Sequence, residues 1–298
     1  MVQSNLGEMA ALVTAVCWTI TAISFELAGR KIGSLSVNFI RLVMAFFLLG
    51  IFTLFTRGMF LPLDATPNAW LWLSISGIIG FVLGDLFLFQ AFLEIGSRIS
   101  MLIMSAVPPI TALLGFFFLG EVLTPKALIG MFVTIIGIAL VILVRKSGDK
   151  KLEFNHSIKG LLFAFIGALG QSLGLIFSKM GMGSYNAFAA TQIRIIFGII
   201  GFIIVFTFMK RWNKLKEAIT NSYAMKRVSI GAFFGPFLGV SFSLLAVQYT
   251  ATGIASTINS IVPVLIIIPS IIIFKEKVST KEIIGAIVTV LGVGLLFI

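Results

Sequence analysis

One pattern of residues is laid down twice along the chain. Pro108, Glu121, Gly130 and Gly137 follow one another at spacings of 13, 9 and 7, and Pro263, Glu276, Gly285 and Gly292 repeat those spacings without a gap. Upstream, Arg41 matches Arg194, and Gly80 and Gly84 match Gly235 and Gly239. Almost everything between these marks is apolar. A chain that folds one apolar unit twice is confined to architectures in which two copies share a core. In a membrane, that is the plan of carriers that alternate between two faces of the bilayer.

The solvent for these units is lipid. Only 11% of the 298 residues are charged, against about 25% in a soluble domain. A spanning helix needs about 20 largely apolar residues, and ten such stretches occur: roughly 8–28, 35–55, 70–93, 99–119, 126–144, 158–180, 187–209, 228–249, 254–274 and 280–298. The runs are long and lack strand alternation, so helices are expected over a barrel. The expected fold is an all-α integral membrane protein of ten transmembrane helices. Residues 7–145 and 158–298 form two five-helix repeats, joined by a polar linker at 146–157. Five is odd, so the second repeat enters the bilayer inverted relative to the first.

Charge sets an expected orientation. With alternating loops, three Lys and Arg fall on the face that holds both termini and seventeen on the other, while Arg41 and Arg194 lie within the bilayer. The positive-inside rule puts the seventeen in the cytoplasm and both termini outside. The basic excess is thereby a topology signal, and no folded basic domain exists to hold a nucleic acid. Segment 210–227, with Trp212, Leu215 and Ile219 among lysines, reads either as a short interfacial helix or as a solvated loop. Met1 to Glu8 contain no Lys or Arg, so the first stretch is not read as a signal peptide. A lone Cys17 and a lone His156 offer no disulfide framework and no cysteine metal site.

Several marks together resemble the EamA-type unit of the drug/metabolite transporter superfamily, once in each half. They are the arginine of the second stretch, the run Ala91 to Ser100 with its counterpart Ala246 to Ala255, the proline of the fourth stretch, and Gly-Glu-x-Leu-Thr-Pro at 120–125 before a glycine-rich fifth stretch. The second copy departs from the pattern at Lys275, Glu276, Lys277, Val278 and Ser279. The resemblance implies ten helices, inverted repeats, a central cavity and transport of small metabolites, often outward. It also implies cytoplasmic termini, against the charge count, which takes precedence here.

Candidate chemistry gathers at the prolines and the intramembrane charges. Pro108 and Pro263 each free a carbonyl, of Met104 and Asn259, which must find a neighbouring helix, water or a ligand. Ser105, Asn259 and Ser260 flank these kinks, and paired kinks at matching depth suit a carrier's binding site; a purely structural kink is the alternative. Ser76, Gly80 and Gly84, with Gly231, Gly235 and Gly239, make smooth helix faces for close packing. Asp85 and Arg41 differ in depth by only about 4–5 Å, so they can pair; Arg41 can instead snorkel to the headgroups. Asp85 is then a structural ion-pair partner or a titrating carboxylate. Glu26, Glu94 and Arg98 lie nearer the same surface. Arg194 faces no equivalent of Asp85, because Val240 stands there. It can snorkel, pair with Glu26 or Asp85, or attract a substrate carboxylate or phosphate. Trp18 and Gln171 correspond in the two repeats. With Thr14, Thr19, Ser24 and Ser172, and extended by Gln90, Gln192, Ser241, Ser243 and Gln248, they form a polar strip facing a wet cavity or interhelical hydrogen bonds.

No Walker A, HExxH, CxxC or GxSxG sequence occurs, so no enzyme, ATP motor or metal site is expected. The expected function is secondary active export of small metabolites such as amino acids, a substrate class that rests on the resemblance alone. The repeats would rock around a cavity lined by stretches 1, 3, 4, 6, 8 and 9. Trp18, Gln90, Ser105, Gln171, Arg194, Ser241, Asn259 and Ser260 are the expected substrate contacts; Glu26, Arg41 and Asp85 are the expected coupling or ion-pair residues. No cofactor is expected, and a proton is the coupling ion if Asp85 or Glu26 titrates. The partners are the small-molecule substrate and the lipid of the plasma membrane, around a monomer or weak homodimer. A passive channel or facilitator, and a flippase of a lipid-linked metabolite, stay open as alternatives.

Overall fold

The computed structural model describes residues 6–120, 122, 124–145, 152–154, 156–249, 255 and 258–295, by backbone only at 119, 127, 144, 145 and 152–154. Glu121, most of the linker and residues 250–254 of the second Ala246 to Ala255 run lie outside the described residues. Among the described residues six helical stretches are long and apolar enough to cross a bilayer: Leu6–Ile32, Ser34–Arg57, Pro67–Phe118, Ile158–Met182, Ala187–Phe208 and Ser222–Tyr249. Leu128–Ile142 and Val262–Phe274 are shorter apolar helices. Beside the helices, Leu143–Arg145 (β1) and Leu152–Phe154 (β2) pair antiparallel, with Leu143 opposite Phe154. Phe55, Phe117 and Phe208 are each at least 75% exposed, which a water-facing surface would not tolerate in such number and a lipid-facing one does.

The first two helices, α1 (Leu6–Ile32) and α2 (Ser34–Arg57), meet at Gly33. The third run starts as α3 (Pro67–Gly77), with Thr66 accepting a hydrogen bond from the Ala69 N–H at its N-terminus. It widens into a π-helical stretch at Ile78–Gly84 and continues as α4 (Asp85–Ile103). Inside α4 the chain breaks at Gly96, with φ 79° and ψ 158°. Gly33 has nearly the same geometry, φ 78° and ψ 152°. Both glycines sit in the tripeptide Ile-Gly-Ser, and only glycine enters that region of backbone space readily. Each is a tight corner between two helices.

The prolines differ from the sequence expectation. A 3₁₀ turn at Met104–Ala106 ends the preceding helix, and Pro108 lies in the first turn of α5 (Val107–Leu119). Next comes α6 (Pro125–Ile142). In the second half, α7 (Ile158–Met182), α8 (Ala187–Phe208), α9 (Trp212–Thr220) and α10 (Ser222–Ala232) lead to a second π-helical stretch, Phe233–Gly239, and then α11 (Val240–Tyr249). Pro263 opens α12 (Val262–Leu265), followed by α13 (Ile267–Phe274) and α14 (Thr280–Leu295). Pro108 and Pro263 thus begin helices, where a missing N–H costs nothing, instead of bending continuous ones. Segment 212–220 is helical: Leu215 and Ala218 are buried, and Trp212 packs edge-on against Phe39 and at a tilt against Phe206.

Packing joins the two halves of the chain. The first helix lies on α10, α11 and the π stretch between them; α7 lies on α3 and α4; α2 on α8; α6 on α14. The outer faces of α6 and α14 are apolar and exposed, as at Phe132, Ile135, Ile284 and Leu291. Their inner faces pack on each other, because Gly137 meets Thr289 and Gly292 meets Thr134 at distances no side chain would permit.

Candidate functional site

Where these helices converge they enclose a cavity of about 1120 Å³, mouth included. Trp18 and Thr21 enter it from α1, Phe81 from the first π stretch, Asp85, Phe89 and Phe92 from α4, Ser105 from the 3₁₀ turn, Gln171 from α7, Arg194 from α8, Ser243 from α11, and Asn259 and Ser260 from the segment before α12. Pro108 and Pro263 complete the wall. A π turn carries an extra residue and re-aims the side chains after it. Gly80 and Gly84 make room for that turn against α7, where an added Cβ at Gly84 would lie 3.3 Å from the Gln171 backbone nitrogen.

One ion pair anchors the wall. Arg41 Nη2 donates to Asp85 Oδ2. The Arg41 Nε–H donates to Asn38 Oδ1 at 3.1 Å, and Asn38 Nδ2 donates to the Asp85 carbonyl at 3.1 Å. The Arg41 guanidinium also lies 4.6 Å from the Phe89 ring centroid, and 5.6 Å from those of Phe25 and Phe81. It does not reach the headgroups: the residue is 1% exposed. Gln171 Nε2 donates to Asp85 Oδ1 at 2.6 Å and to the Gly80 carbonyl at 3.2 Å. Both carboxylate oxygens of Asp85 are therefore engaged. Arg194 is also buried, and its guanidinium stacks 4.6 Å over the Phe81 ring. Thr21 Oγ1, Ser105 Oγ, Asn259 Oδ1 and Arg194 Nε are buried without a hydrogen-bond partner. Such groups are costly in a finished core and are what a polar ligand would satisfy.

Trp18, Asp85, Ser105, Gln171, Arg194, Asn259 and Ser260 thus come together, and Gln90, Ser241, Glu26 and Arg41 do not line the cavity. Gln90 is five residues beyond Asp85, about 140° round the helix; it accepts from Ser34 Oγ at 2.8 Å and supports the Gly33 corner. Ser241 follows the lining residue Val240 and turns away, while Ser243 faces in. Glu26 is drawn to the Gly96 corner, where it pairs with Arg30 and accepts the Ser97 N–H at 2.6 Å. It meets neither Arg194 nor the cavity. Arg41 is held behind the wall by Asp85. Among the lining residues not anticipated are Thr21, Phe81, Phe89 and Phe92. The first lies three positions from Trp18, and Phe81, Phe89 and Phe92 lie four, four and seven from Asp85, so helical spacing carried a signal for them. No group of three His, Cys, Asp or Glu side chains suited to a metal occurs among the described residues.

Charged clusters close both ends of the bundle. At the Gly96 corner, Arg98 Nε donates to Glu276 Oε2 at 2.6 Å, Arg98 Nη1 lies 3.5 Å from Glu282 Oε1, and Lys159 pairs with Glu94 at 3.0 Å. At the opposite end, the Tyr185 hydroxyl donates to Asp64 Oδ1 at 2.8 Å and Arg57 pairs with Asp64. Burial pushes the Asp64 carboxyl up, but the Tyr185 hydrogen bond and Arg57 outweigh it and hold its pKa below the ordinary value. A carboxylate depressed in the folded state stabilises above its unfolded pKa, and that contribution fades as pH falls through the folded pKa. Tyr185→Phe should therefore melt lower than the parent at neutral pH, and the difference should shrink below about pH 4. Thermal scans across pH check this; a difference that grows toward acid would contradict it.

The sequence model of the EamA-like transporter family matches residues 5–143 and again 158–298. The chain belongs to the EamA-like transporter family. Two curated relatives agree: an uncharacterized transporter of Archaeoglobus fulgidus, 22% identical over 98% of both chains, and one of Clostridium kluyveri, 22% identical over 96% of this chain and 91% of its own. A solved crystal structure aligns with a TM-score of 0.64 over 97% of this chain and 95% of its own, at 16% identity, which speaks for the fold alone. This EamA-family chain is accordingly a multi-pass membrane transporter of the drug/metabolite superfamily, and its cavity is the candidate binding site.

Proposed function

We propose that the protein is a secondary active transporter that exports small metabolites of amino-acid size. Two inverted five-helix repeats rock about the central cavity. The observation that carries this reading is the exchange of positions within the cavity wall. Trp18 and Gln171, 153 positions apart, both line it. So do Asp85 and Val240, Leu88 and Ser243, Met104 and Asn259, Ser105 and Ser260, and Pro108 and Pro263, each pair 155 apart. The π stretches Ile78–Gly84 and Phe233–Gly239 differ by the same 155.

Contacts exchange in the same way. Gly137 meets Thr289 as Gly292 meets Thr134, and Gly84 meets Gly170 as Gly239 meets Cys17. A wall built of two equivalent halves around polar groups without partners suits a site approached from either side.

Counterflow tests the reading. Vesicles holding the purified chain and preloaded with unlabelled leucine and 4-methylpentanoate should take up labelled tracer of at least one faster than empty vesicles. A proton is the coupling ion in this reading, so net uptake should follow an imposed pH gradient and stop when it is collapsed. Equal uptake into loaded and empty vesicles would indicate a pore and overturn alternating access.

A further inference from the structure

We propose that the cavity takes a small monocarboxylate with an apolar body, its carboxylate docked on the Arg194 guanidinium; this rests on the carrier reading above. Two guanidiniums, Arg41 and Arg194, stand at this wall, with Asp85 the only acid lining the cavity among the described residues. Asp85 gives one oxygen to Arg41 and the other to Gln171. Arg194 is 5% exposed, makes no ion pair with any described residue, and leaves its Nε without a hydrogen-bond partner. A buried charge left in this state is rare and marks function by default.

The surplus is one positive charge, since Arg41 and Asp85 cancel. A monoanion neutralises it; a phosphate dianion reverses it. The planar fork of Arg194 matches a two-oxygen acceptor, and its stack on Phe81 fixes the plane. Thr21 Oγ1 and Ser105 Oγ, also without partners, supply further donors. Leu88, Phe89, Phe92, Met101 and Leu175 line the rest, which suits an apolar body. Among the described lining residues no acid remains for an ammonium group. An α-amino acid should therefore bind more weakly than its deaminated relative.

The test uses the full chain in detergent micelles or nanodiscs and reads ligand-induced thermal shifts. The probes are 3-phenylpropionate, 4-methylpentanoate, the neutral 3-phenylpropionamide, and phenylalanine. The acids should raise the melting temperature and the amide should not. Phenylalanine should bind on the order of 10–100-fold more weakly than 3-phenylpropionate. Arg194→Gln should lose the acid's shift while melting at or above the unliganded parent, because an uncompensated buried charge has gone. Arg194→Lys should keep a weakened shift.

Three results would overturn the proposal: no shift with either acid, an amide or phenylalanine as effective as the acid, or an acid shift that survives in Arg194→Gln. The acid–amide comparison in the unaltered chain decides even where Arg194→Gln does not fold. A carboxylate shift without counterflow would remove the carrier reading and leave the site; counterflow of the amide equal to that of the acid would do the reverse.

Discussion

Asp85→Leu should be among the most damaging single substitutions in the chain, lowering stability by about 3–5 kcal/mol. It strips Arg41 of its ion-pair partner at a residue only 1% exposed, and it removes the carboxylate whose field also reaches Arg194. Arg41→Met alone should cost less, because Asp85 keeps its bond from Gln171 and can turn its freed oxygen toward Arg194. The double variant Arg41→Met with Asp85→Leu should recover most of what Asp85→Leu loses, since no uncompensated charge is added and the apolar replacements pack against Phe25, Phe81 and Phe89. Unfolding of the four proteins in micelles completes the cycle. A double variant no more stable than Asp85→Leu would show that the pair is not what holds this region.

The second large effect is expected at Gly77. An added Cβ there would lie 2.3 Å from the carbonyl oxygen of Arg194. That atom is backbone, so no change of rotamer relieves the clash, and α3 and α8 must part. Gly77→Leu should cost about 3 kcal/mol and move Arg194 away from the cavity. Gly80→Ala is the contrast: its Cβ would meet the Nη2 end of the Arg194 side chain at 3.2 Å and the Gly174 Cα only at an ordinary contact distance of 3.7 Å. That flexible end can yield, and the alanine gains up to about 1 kcal/mol of helix propensity. Matched melting curves decide; equal losses would mean that side-chain crowding, not backbone approach, limits this interface.

Much of the helical plan was legible because lipid imposes it. Each long apolar run had no alternative to a helix, and depth counting alone made Asp85 and Arg41 compatible partners. Rotation around a helix was harder to read. Gln90 and Ser241 are polar and at sensible depth, yet each sits on the wrong side of its helix, and nothing local in the sequence records that side. The π stretches were hidden for a related reason. Gly80, Gly84, Gly235 and Gly239 signal close packing equally well in a regular helix, so the extra residue that turns Phe81 inward had no separate mark. Glu26 is in an ion pair, as expected, but with Arg30; its second partner, the Ser97 N–H, had no mark in the sequence because it exists only once Gly96 makes its corner. Proline carries two meanings, kink or helix start, and the 3₁₀ turn at Met104–Ala106 decided between them.

The unbalanced guanidinium at Arg194 has an electrical consequence. In the proposed carrier, a monocarboxylate on Arg194 leaves the cavity neutral, so the loaded step moves no net charge and is indifferent to membrane voltage. The empty cavity carries one positive charge, and a full crossing of the field is worth about 2.3 kcal/mol per 100 mV. In that proposed cycle an interior-negative potential favours the inward return, a step that the coupling proton makes still more positive, so voltage resets the carrier instead of pushing its cargo.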